Sequence, residues 1–184
     1  MTDIGKLDRE YLRLYKRDGA AQPARYSAAL AAFTKAFGAR GNIRMFSAPG
    51  RSEISGNHTD HQQGCVLAAA VTLDIVAAVS ERTDDRICLH SAGYAPLTLN
   101  ARDLVMHKQE RNTSLALVRG IAHYLVEHVS RVGGFDASIT SGVPKGSGLS
   151  SSAAYSVLIA TIFSYLFNGA SACSVGVTRA PLNR

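Results

Sequence analysis

Residues 143–154 combine glycines, serines and a lysine in the run VPKGSGLSSSAA, which joins a short extended segment to a long apolar one. Gly146 and Gly148 can adopt positive φ and let the backbone approach an anion closely. Where such a loop opens onto a helix, successive backbone N–H groups and the helix start attract phosphate. The serine hydroxyls at 150–152 could contact phosphate oxygens or Mg²⁺, and Lys145 adds positive charge. The run therefore predicts a phosphate-binding loop.

The same residue types also have an ordinary structural use. Serine and glycine cap and end many helices, and a single glycine-rich loop is weak evidence of ligand binding. Three consecutive serines exceed what a cap requires. The run lacks both the Gly-Lys-Ser/Thr ending of a P-loop and the Gly-x-Gly-x-x-Gly spacing of a dinucleotide fold. If it binds phosphate, it does so as a loop of another kind.

A second cluster of polar side chains lies in residues 48–64, APGRSEISGNHTDHQQG, after a predicted strand. Amide, carboxylate and imidazole groups supply the donors and acceptors that bind the hydroxyls of a sugar. An arginine beside them could stabilise a transferring phosphoryl group. The side chains of this cluster are Arg51, Glu53, Asn57, His58, Asp60 and His61. The segment therefore predicts sugar binding.

A metal site is the alternative interpretation of His58, Asp60 and His61, because imidazole and carboxylate are common metal ligands. A structural site usually has four ligands, and no further histidine or cysteine is clustered with these three. The other histidines are scattered, and His123 and His128 lie in a predicted helix. The spacing therefore favours sugar binding over metal binding.

The apolar pattern predicts a mixture of helices and strands that would position both segments. Helical spacing runs through the first forty residues and stops at Gly38. Further helices are predicted over residues 114–131 and 150–167, and the second of these is apolar on nearly all sides and therefore buried. The predicted strands span residues 43–47, 66–71, 75–80, 86–91 and 135–141.

Composition and charge narrow the class of protein. Hydrophobic residues make up 46% and charged residues 18% of the 184 residues, as in a folded globular protein. The net charge of +6 is scattered, which suits a phosphate-bearing small ligand at least as well as a nucleic acid. Three widely spaced cysteines indicate a reducing compartment. No signal peptide or membrane-spanning stretch is predicted, so we expect a cytoplasmic protein without a membrane or nucleic-acid partner.

Together the two segments resemble a known family. Residues 49–64 resemble the galactokinase signature, P-G-R-V-N-L-I-G-E-H-T-D-Y-N-G-G, and residues 144–154 resemble the second motif of the GHMP kinases. The resemblance implies an α+β fold, a mixed sheet with helices on one face, similar to the ribosomal protein S5 domain 2-like amino-terminal lobe of GHMP kinases. It assigns residues 1–168 to this lobe and leaves residues 169–184 as a divergent tail, and our hypothesis is that residues 170–184 are a frameshifted or misassigned end.

The resemblance also implies a reaction in which the γ-phosphate of ATP moves to the anomeric hydroxyl of galactose, giving galactose 1-phosphate and ADP. Arg51 lies where the family has an arginine thought to stabilise the transferring phosphoryl group. The implied sugar-binding residues are Asn57, His58, Thr59 and Asp60. The implied ATP-binding residues are Gly146, Ser147, Gly148, Leu149, Ser150, Ser151 and Ser152, and the Ser152 hydroxyl would also bind Mg²⁺.

Departures from the family pattern bear on substrate and activity. Asn57 replaces the usual glutamate, so an amide oxygen accepts where a carboxylate would. The family's later magnesium-binding glutamate, its Gly-Ile-Met-Asp-Gln-like segment with the catalytic aspartate, and its carboxy-terminal domain have no counterpart in the 184 residues. Two alternatives therefore stay open: a kinase for a related sugar, and a non-catalytic regulator that binds sugar and nucleotide on the same scaffold.

We expect the 184 residues by themselves to have no useful kinase activity. Phosphoryl transfer depends on positioning and charge stabilisation, so the lack of the catalytic aspartate and of a magnesium ligand costs many orders of magnitude in rate. A coupled assay with galactose and MgATP measures this directly. Turnover at an ordinary kinase rate, about 1 to 100 per second, would contradict the expectation.

Overall fold

The computed structural model describes residues 8–56, 65–128 and 131–169 as a mixture of helices and strands. The helices are α1 (Asp8–Tyr15), α2 (Gln22–Phe37), α3 (Ser114–His128) and α4 (Ser151–Phe167), and two short 3₁₀ helices lie at Lys16–Ala21 and Lys108–Glu110. The strands are β1 (Ile43–Ser55), β2 (Leu67–Glu81), β3 (Arg86–Ser91), β4 (Leu97–Asn100) and β5 (Phe135–Ser141). The sequence analysis missed β4, which is only 4 residues long.

One mixed sheet contains the strands of the described residues, in the order β1-β2-β5-β3-β4. β3 and β5 run parallel, and the other neighbouring strands are antiparallel. β1 pairs with β2 along nearly its whole length, whereas β5 pairs only with residues 75–81. The first half of β2 therefore extends beyond β5 and has β1 as its neighbour. The α+β class and the mixed sheet predicted from the sequence are therefore confirmed.

β1 and β2 are longer than the sequence predicted. Where two strands, 66–71 and 75–80, were expected, the structure has the single strand β2, because β1 lies alongside it across the gap. β1 itself runs to Ser55, with a register shift between Pro49 and Arg51. A bulge of this kind bends a strand without ending it, so β1 and β2 form one long two-stranded ribbon.

Helices cover both faces of the sheet because its central strands are buried on both sides. In β2, Ile75, Ala77 and Val79 belong to the core that contains residues of α3 and α4. Val76 and Ala78, between them, belong to the core that contains residues of α1 and α2. Near-continuous apolar runs are typical of strands covered on both faces. The helices predicted on one face correspond to α3 and α4. The second layer, which α1 and α2 form on the other face, was not predicted.

α4 is buried along much of its length, as its apolar sequence predicted. Leu158, Ile159, Ile162 and Phe163 are all 0% exposed, and the Phe163 ring meets the Phe135 ring edge-on with centroids 5.4 Å apart. Burial of side chains of this size stabilises the fold by roughly 1.5–3 kcal/mol each. This packing fixes the position of the α4 amino terminus.

Among the helices of the described residues, none has both the length and the apolar character needed to span a membrane.

Three tyrosines attach α1 and α2 to the other face. Tyr11, Tyr15 and Tyr26 are at most 5% exposed. The Tyr15 hydroxyl donates to Asp74 at 2.5 Å and lies 2.7 Å from the Tyr26 hydroxyl. Burial raises the pKa of all three phenols, and for Tyr15 the neighbouring Tyr26 and Asp74 raise the pKa further. The folded protein therefore holds these phenol protons more tightly than the unfolded chain does.

This difference in pKa predicts a loss of stability in alkali. An unfolded tyrosine loses its proton near the ordinary pKa of 10.0, whereas folded Tyr15 retains it. The stabilisation is therefore complete below about pH 10 and is lost as the pH rises above that value. Urea unfolding from about pH 8 to about pH 11 should show this decline, and Tyr15→Phe should make it shallower. Equal slopes for the two proteins would contradict the assignment.

Candidate phosphate-binding site

The predicted phosphate loop leaves the sheet at the end of β5. Val143 is 4% exposed and anchors the loop, and the next five residues are exposed. The Ser147 hydroxyl donates to the Pro144 carbonyl at 2.7 Å and closes a turn. Gly146 and Gly148 have φ of 72° and 75°, a conformation that strains other residues. Both glycines are thus required by the backbone of the loop, as the sequence predicted.

The loop ends at the start of α4, where several backbone amides have no partner within the helix. Ser150, the residue before the helix, is left-handed with φ 57°, and its side chain makes no capping hydrogen bond. The Ala154 amide donates to the Ser150 carbonyl at 3.0 Å, so the amides of residues 151–153 precede the first helical bond. The first turn contains no acidic residue. These amides and the helix dipole can therefore bind an anion without competition from a local carboxylate.

Arg51 lies beside this loop through a backbone contact. Its amide donates to the Leu149 carbonyl at 3.0 Å. The preceding residue, Gly50, is buried, and a Cβ built on it would lie 2.9 Å from the same carbonyl oxygen. The close approach therefore needs glycine at this position. The structure thus brings together two segments about a hundred residues apart that the sequence analysis selected independently.

The Arg51 side chain is held by a carboxylate on the same strand. Arg51 Nη2 donates to Glu53 Oε1 at 2.8 Å, and the two side chains are 39% and 15% exposed. The Arg51 Nε atom is buried, with no hydrogen-bond partner among the described residues. A buried donor without a partner costs about 1–3 kcal/mol, which an anionic acceptor would offset. Glu53, which the sequence analysis grouped with the sugar-binding side chains, contacts the arginine.

Lys145 in the loop contacts an aromatic ring that the sequence analysis did not select. Its Nζ atom lies 5.8 Å from the centre of the Tyr94 ring, which belongs to the turn between β3 and β4. An exposed cation–π contact of this kind contributes about 0.5–1 kcal/mol. No local pattern in the sequence marks Tyr94, because the contact depends on the folded sheet. The contact restricts the range of positions open to the lysine.

The predicted sugar-binding residues Asn57, His58, Thr59 and Asp60, together with His61, lie outside the described residues. Gly56 and Cys65, the described residues on either side of these positions, lie close together, since a Cβ on Gly56 would lie 2.7 Å from the Cys65 carbonyl oxygen. In the part of the chain that the structure describes, no three or more His, Cys, Asp or Glu side chains are grouped as a metal site.

A separate open groove of about 420 Å³ lies between α2 and the strands β3 and β5. Its polar lining includes Lys35 and His90, and its apolar lining is mostly alanine. Tyr94 is a lining residue that also contacts the loop lysine. Of the predicted site residues that the structure describes, none lines this groove. The groove and the loop are therefore neighbouring features that share Tyr94 as a contact.

The fold and the loop define the class of protein first. A family model described as "GHMP kinases N terminal domain" matches residues 116–177, which include the loop and α4. The crystal structure of Methanococcus jannaschii mevalonate kinase shares the fold at 19% identity, with a TM-score of 0.55 over 69% of this chain and 41% of that chain. The described lobe is thus a GHMP kinase amino-terminal domain.

More specific matches identify the family within this class. A model described as "Galactokinase galactose-binding signature" matches residues 31–81. The galactokinases of Clostridium tetani and Ligilactobacillus salivarius are 31% and 35% identical to this chain over 137 and 140 residues. Each alignment covers 74% of this chain, and 34% and 35% of those proteins. The chain belongs to the galactokinase family and spans about a third of the length of these curated relatives.

A solved galactokinase supports the same conclusion. The crystal structure of Lactococcus lactis galactokinase complexed with galactose is 26% identical, with a TM-score of 0.72. The match covers 82% of this chain and 38% of that chain. The sequence-based recognition of the galactokinase family is therefore confirmed.

The contact between Gly50 and the loop gives a stability prediction. Gly50→Ala places a methyl group against the Leu149 carbonyl and should destabilise the protein by about 1–3 kcal/mol, as overpacking does. Gly120→Ala is the matched control, because nothing lies within 4 Å of its Cβ position in α3. Alanine there should be neutral or stabilise by up to about 1 kcal/mol. Thermal unfolding that ranks the two variants in the opposite order would show that strand and loop are not in contact.

Proposed function

We propose that this chain forms the nucleotide-binding lobe of a galactokinase-type sugar kinase, which transfers the γ-phosphate of ATP to the anomeric hydroxyl of galactose. The observation that carries the proposal is the hydrogen bond between the Arg51 amide and the Leu149 carbonyl. It brings the backbone of the strand that carries Arg51 against the loop, so the arginine side chain would lie within reach of a phosphate group bound there. The products would be galactose 1-phosphate and ADP, and the reaction suits a cytoplasmic enzyme.

The phosphate groups of ATP would bind along residues 146–152. Loop and helix amides donate to phosphate oxygens, and the Lys145 ammonium group adds charge at the exposed side of the loop. Mg²⁺ prefers oxygen ligands and keeps several waters, so the Ser152 hydroxyl and phosphate oxygens would bind it. The exposed position of Ser152 in the first turn of α4 fits this role. The ion would neutralise charge on the transferring phosphoryl group.

Arg51 would stabilise the transferring phosphoryl group. Charge on its equatorial oxygens needs donors that are already oriented before the reaction. The ion pair with Glu53 holds one end of the guanidinium, and the buried Nε atom is a donor without a protein acceptor among the described residues. A phosphate oxygen would accept from the exposed part of the guanidinium, since the side chain as a whole is 39% exposed. The strand, rather than a mobile loop, therefore supports the cation.

The sugar would bind to Asn57, His58, Thr59 and Asp60. Their side chains combine donors with acceptors, as the hydroxyl groups of a hexose require. The Lactococcus lactis relative was crystallised with galactose, which supports galactose as the substrate. These residues follow Arg51 by six to nine positions and lie in the sequence between β1 and β2. Sugar and phosphate would therefore meet at one end of the β1–β2 ribbon.

Residues 1–168 would form one lobe, with the divergent tail of residues 169–184 outside it. The GHMP model aligns as far as residue 177, which lies beyond that boundary. The relatives are about three times as long as the aligned region. Catalysis would then depend on groups beyond those of this lobe, including an aspartate that contacts the attacking hydroxyl.

Isothermal titration calorimetry with nucleotides tests the phosphate site. We expect weak but saturable binding of MgATP, tighter than MgADP because Arg51 contacts the terminal phosphate. Arg51→Gln should remove this preference, with a loss of about fivefold in MgATP affinity, which corresponds to about 1 kcal/mol.

The control for this experiment is Arg44→Gln. Arg44 lies on the same strand, but its guanidinium contacts the Tyr165 ring at 5.3 Å rather than the loop. Arg44→Gln should leave the affinities for MgATP and MgADP unchanged. Equal losses in the two variants would indicate a general effect of charge and would contradict the role proposed for Arg51. Absence of any nucleotide binding by the unmodified chain would contradict the phosphate site itself.

A further inference from the structure

Asp74 is a buried carboxylate that the proposed reaction does not use, yet it lies at the junction of the elements that form the site. It is 2% exposed in β2. Its side chain accepts hydrogen bonds from Tyr15 at 2.5 Å, from the Ser47 hydroxyl and from Arg25 Nη1. Four segments, α1, α2, β1 and β2, therefore meet at one carboxylate.

The backbone carbonyl of Asp74 extends this junction to the phosphate loop. It accepts from the Gly142 amide at 2.8 Å and from Arg25 Nη2 at 3.0 Å. Gly142 is the first residue after β5, at the point where the loop leaves the sheet. A Cβ on Gly142 would lie 3.2 Å from the Asp74 carbonyl and 3.3 Å from Arg25 Nη2. The guanidinium of Arg25 thus binds both the carboxylate and the backbone carbonyl of Asp74 and lies beside Gly142 at the start of the loop.

The same residue is paired with the strand that carries Arg51. Asp74 lies opposite Pro49 in the β1–β2 register, immediately before the register shift between Pro49 and Arg51. The Ser47 hydroxyl, two residues before Pro49, donates to its carboxylate. Asp74 therefore holds both β1 before the bulge and the loop after β5, which are the two parts that meet at the Arg51–Leu149 hydrogen bond.

We propose that Asp74 is a positioning residue for phosphoryl transfer, which sets the phosphate loop against Arg51 through Arg25, Ser47 and Gly142. This inference rests on the proposed function for its catalytic meaning. The charge of the carboxylate matters, because Arg25 is a cation with only 26% of its side chain exposed and Asp74 is its ion-pair partner. Asparagine at position 74 would keep the shape but would replace one acceptor oxygen with a donor NH₂ group that faces other donors.

Hydrogen exchange on the full chain tests the positioning role without a ligand. In Asp74→Asn, the Arg51 amide, which donates to the loop, should exchange about tenfold faster than in the unmodified chain, while amides between β3 and β5 stay protected. Phe33→Leu is the control, since Phe33 is 0% exposed in the same helix–sheet core and makes none of the polar contacts of Asp74. Equal effects of the two variants at Arg51 would overturn the proposal.

Nucleotide affinity gives the second measurement. Asp74→Asn should weaken MgATP binding by about tenfold, as is typical when a residue that orients a binding group is changed. Phe33→Leu, measured below the melting temperature of that variant, should leave MgATP binding unchanged. If the unmodified chain binds no nucleotide, the proposed function fails, whereas the exchange of the Arg51 amide still decides the positioning role. If Asp74→Asn does not fold, Ser47→Ala removes one donor to the carboxylate and should show the same change at Arg51 on a smaller scale. An unchanged Arg51 exchange rate in Ser47→Ala would then overturn the proposal.

Discussion

A single backbone hydrogen bond, from the Arg51 amide to the Leu149 carbonyl, joins the two chemically distinctive segments of this chain. This bond requires the strand and the loop to approach closely at position 50. Only glycine allows that approach, because a Cβ there would lie 2.9 Å from the Leu149 carbonyl oxygen. On one side of the bond lie the strand arginine and its partner Glu53. On the other side lie the loop and the amides at the start of α4 that precede the first hydrogen bond within the helix. In the proposed function, phosphate would bind beside this contact.

The rest of the fold keeps these two sides in place from opposite faces of the sheet. Burial of α4 under the sheet fixes the helix at whose amino terminus the loop ends. On the other face, α1 and α2 connect through Tyr15 and Arg25 to Asp74, whose carbonyl receives the first amide of the loop. The geometry at Asp74 is specific, because Tyr15 from α1 and Arg25 from α2 both donate to its carboxylate. The two helical layers therefore have different roles around one site.

Much of this arrangement could be predicted from the sequence because its signals are local. The glycines of the loop, the apolar length of α4 and the spacing of the strand Phe135–Ser141 depend on nearby residues, and the structure has them where they were predicted. The contacts of Asp74 and Tyr94 could not be predicted, since they join residues distant in sequence. The second helical layer was missed because a buried run such as residues 75–79 does not reveal which faces are covered.

If phosphate binds where the loop meets Arg51, titration of the full chain with MgATP should change the amide chemical shifts of this region. We expect saturable shifts at residues 146–153 and at Arg51, with Lys35 in the groove beside α2 unaffected. Saturable shifts confined to that groove, or none at residues 146–153 at millimolar nucleotide, would contradict this expectation.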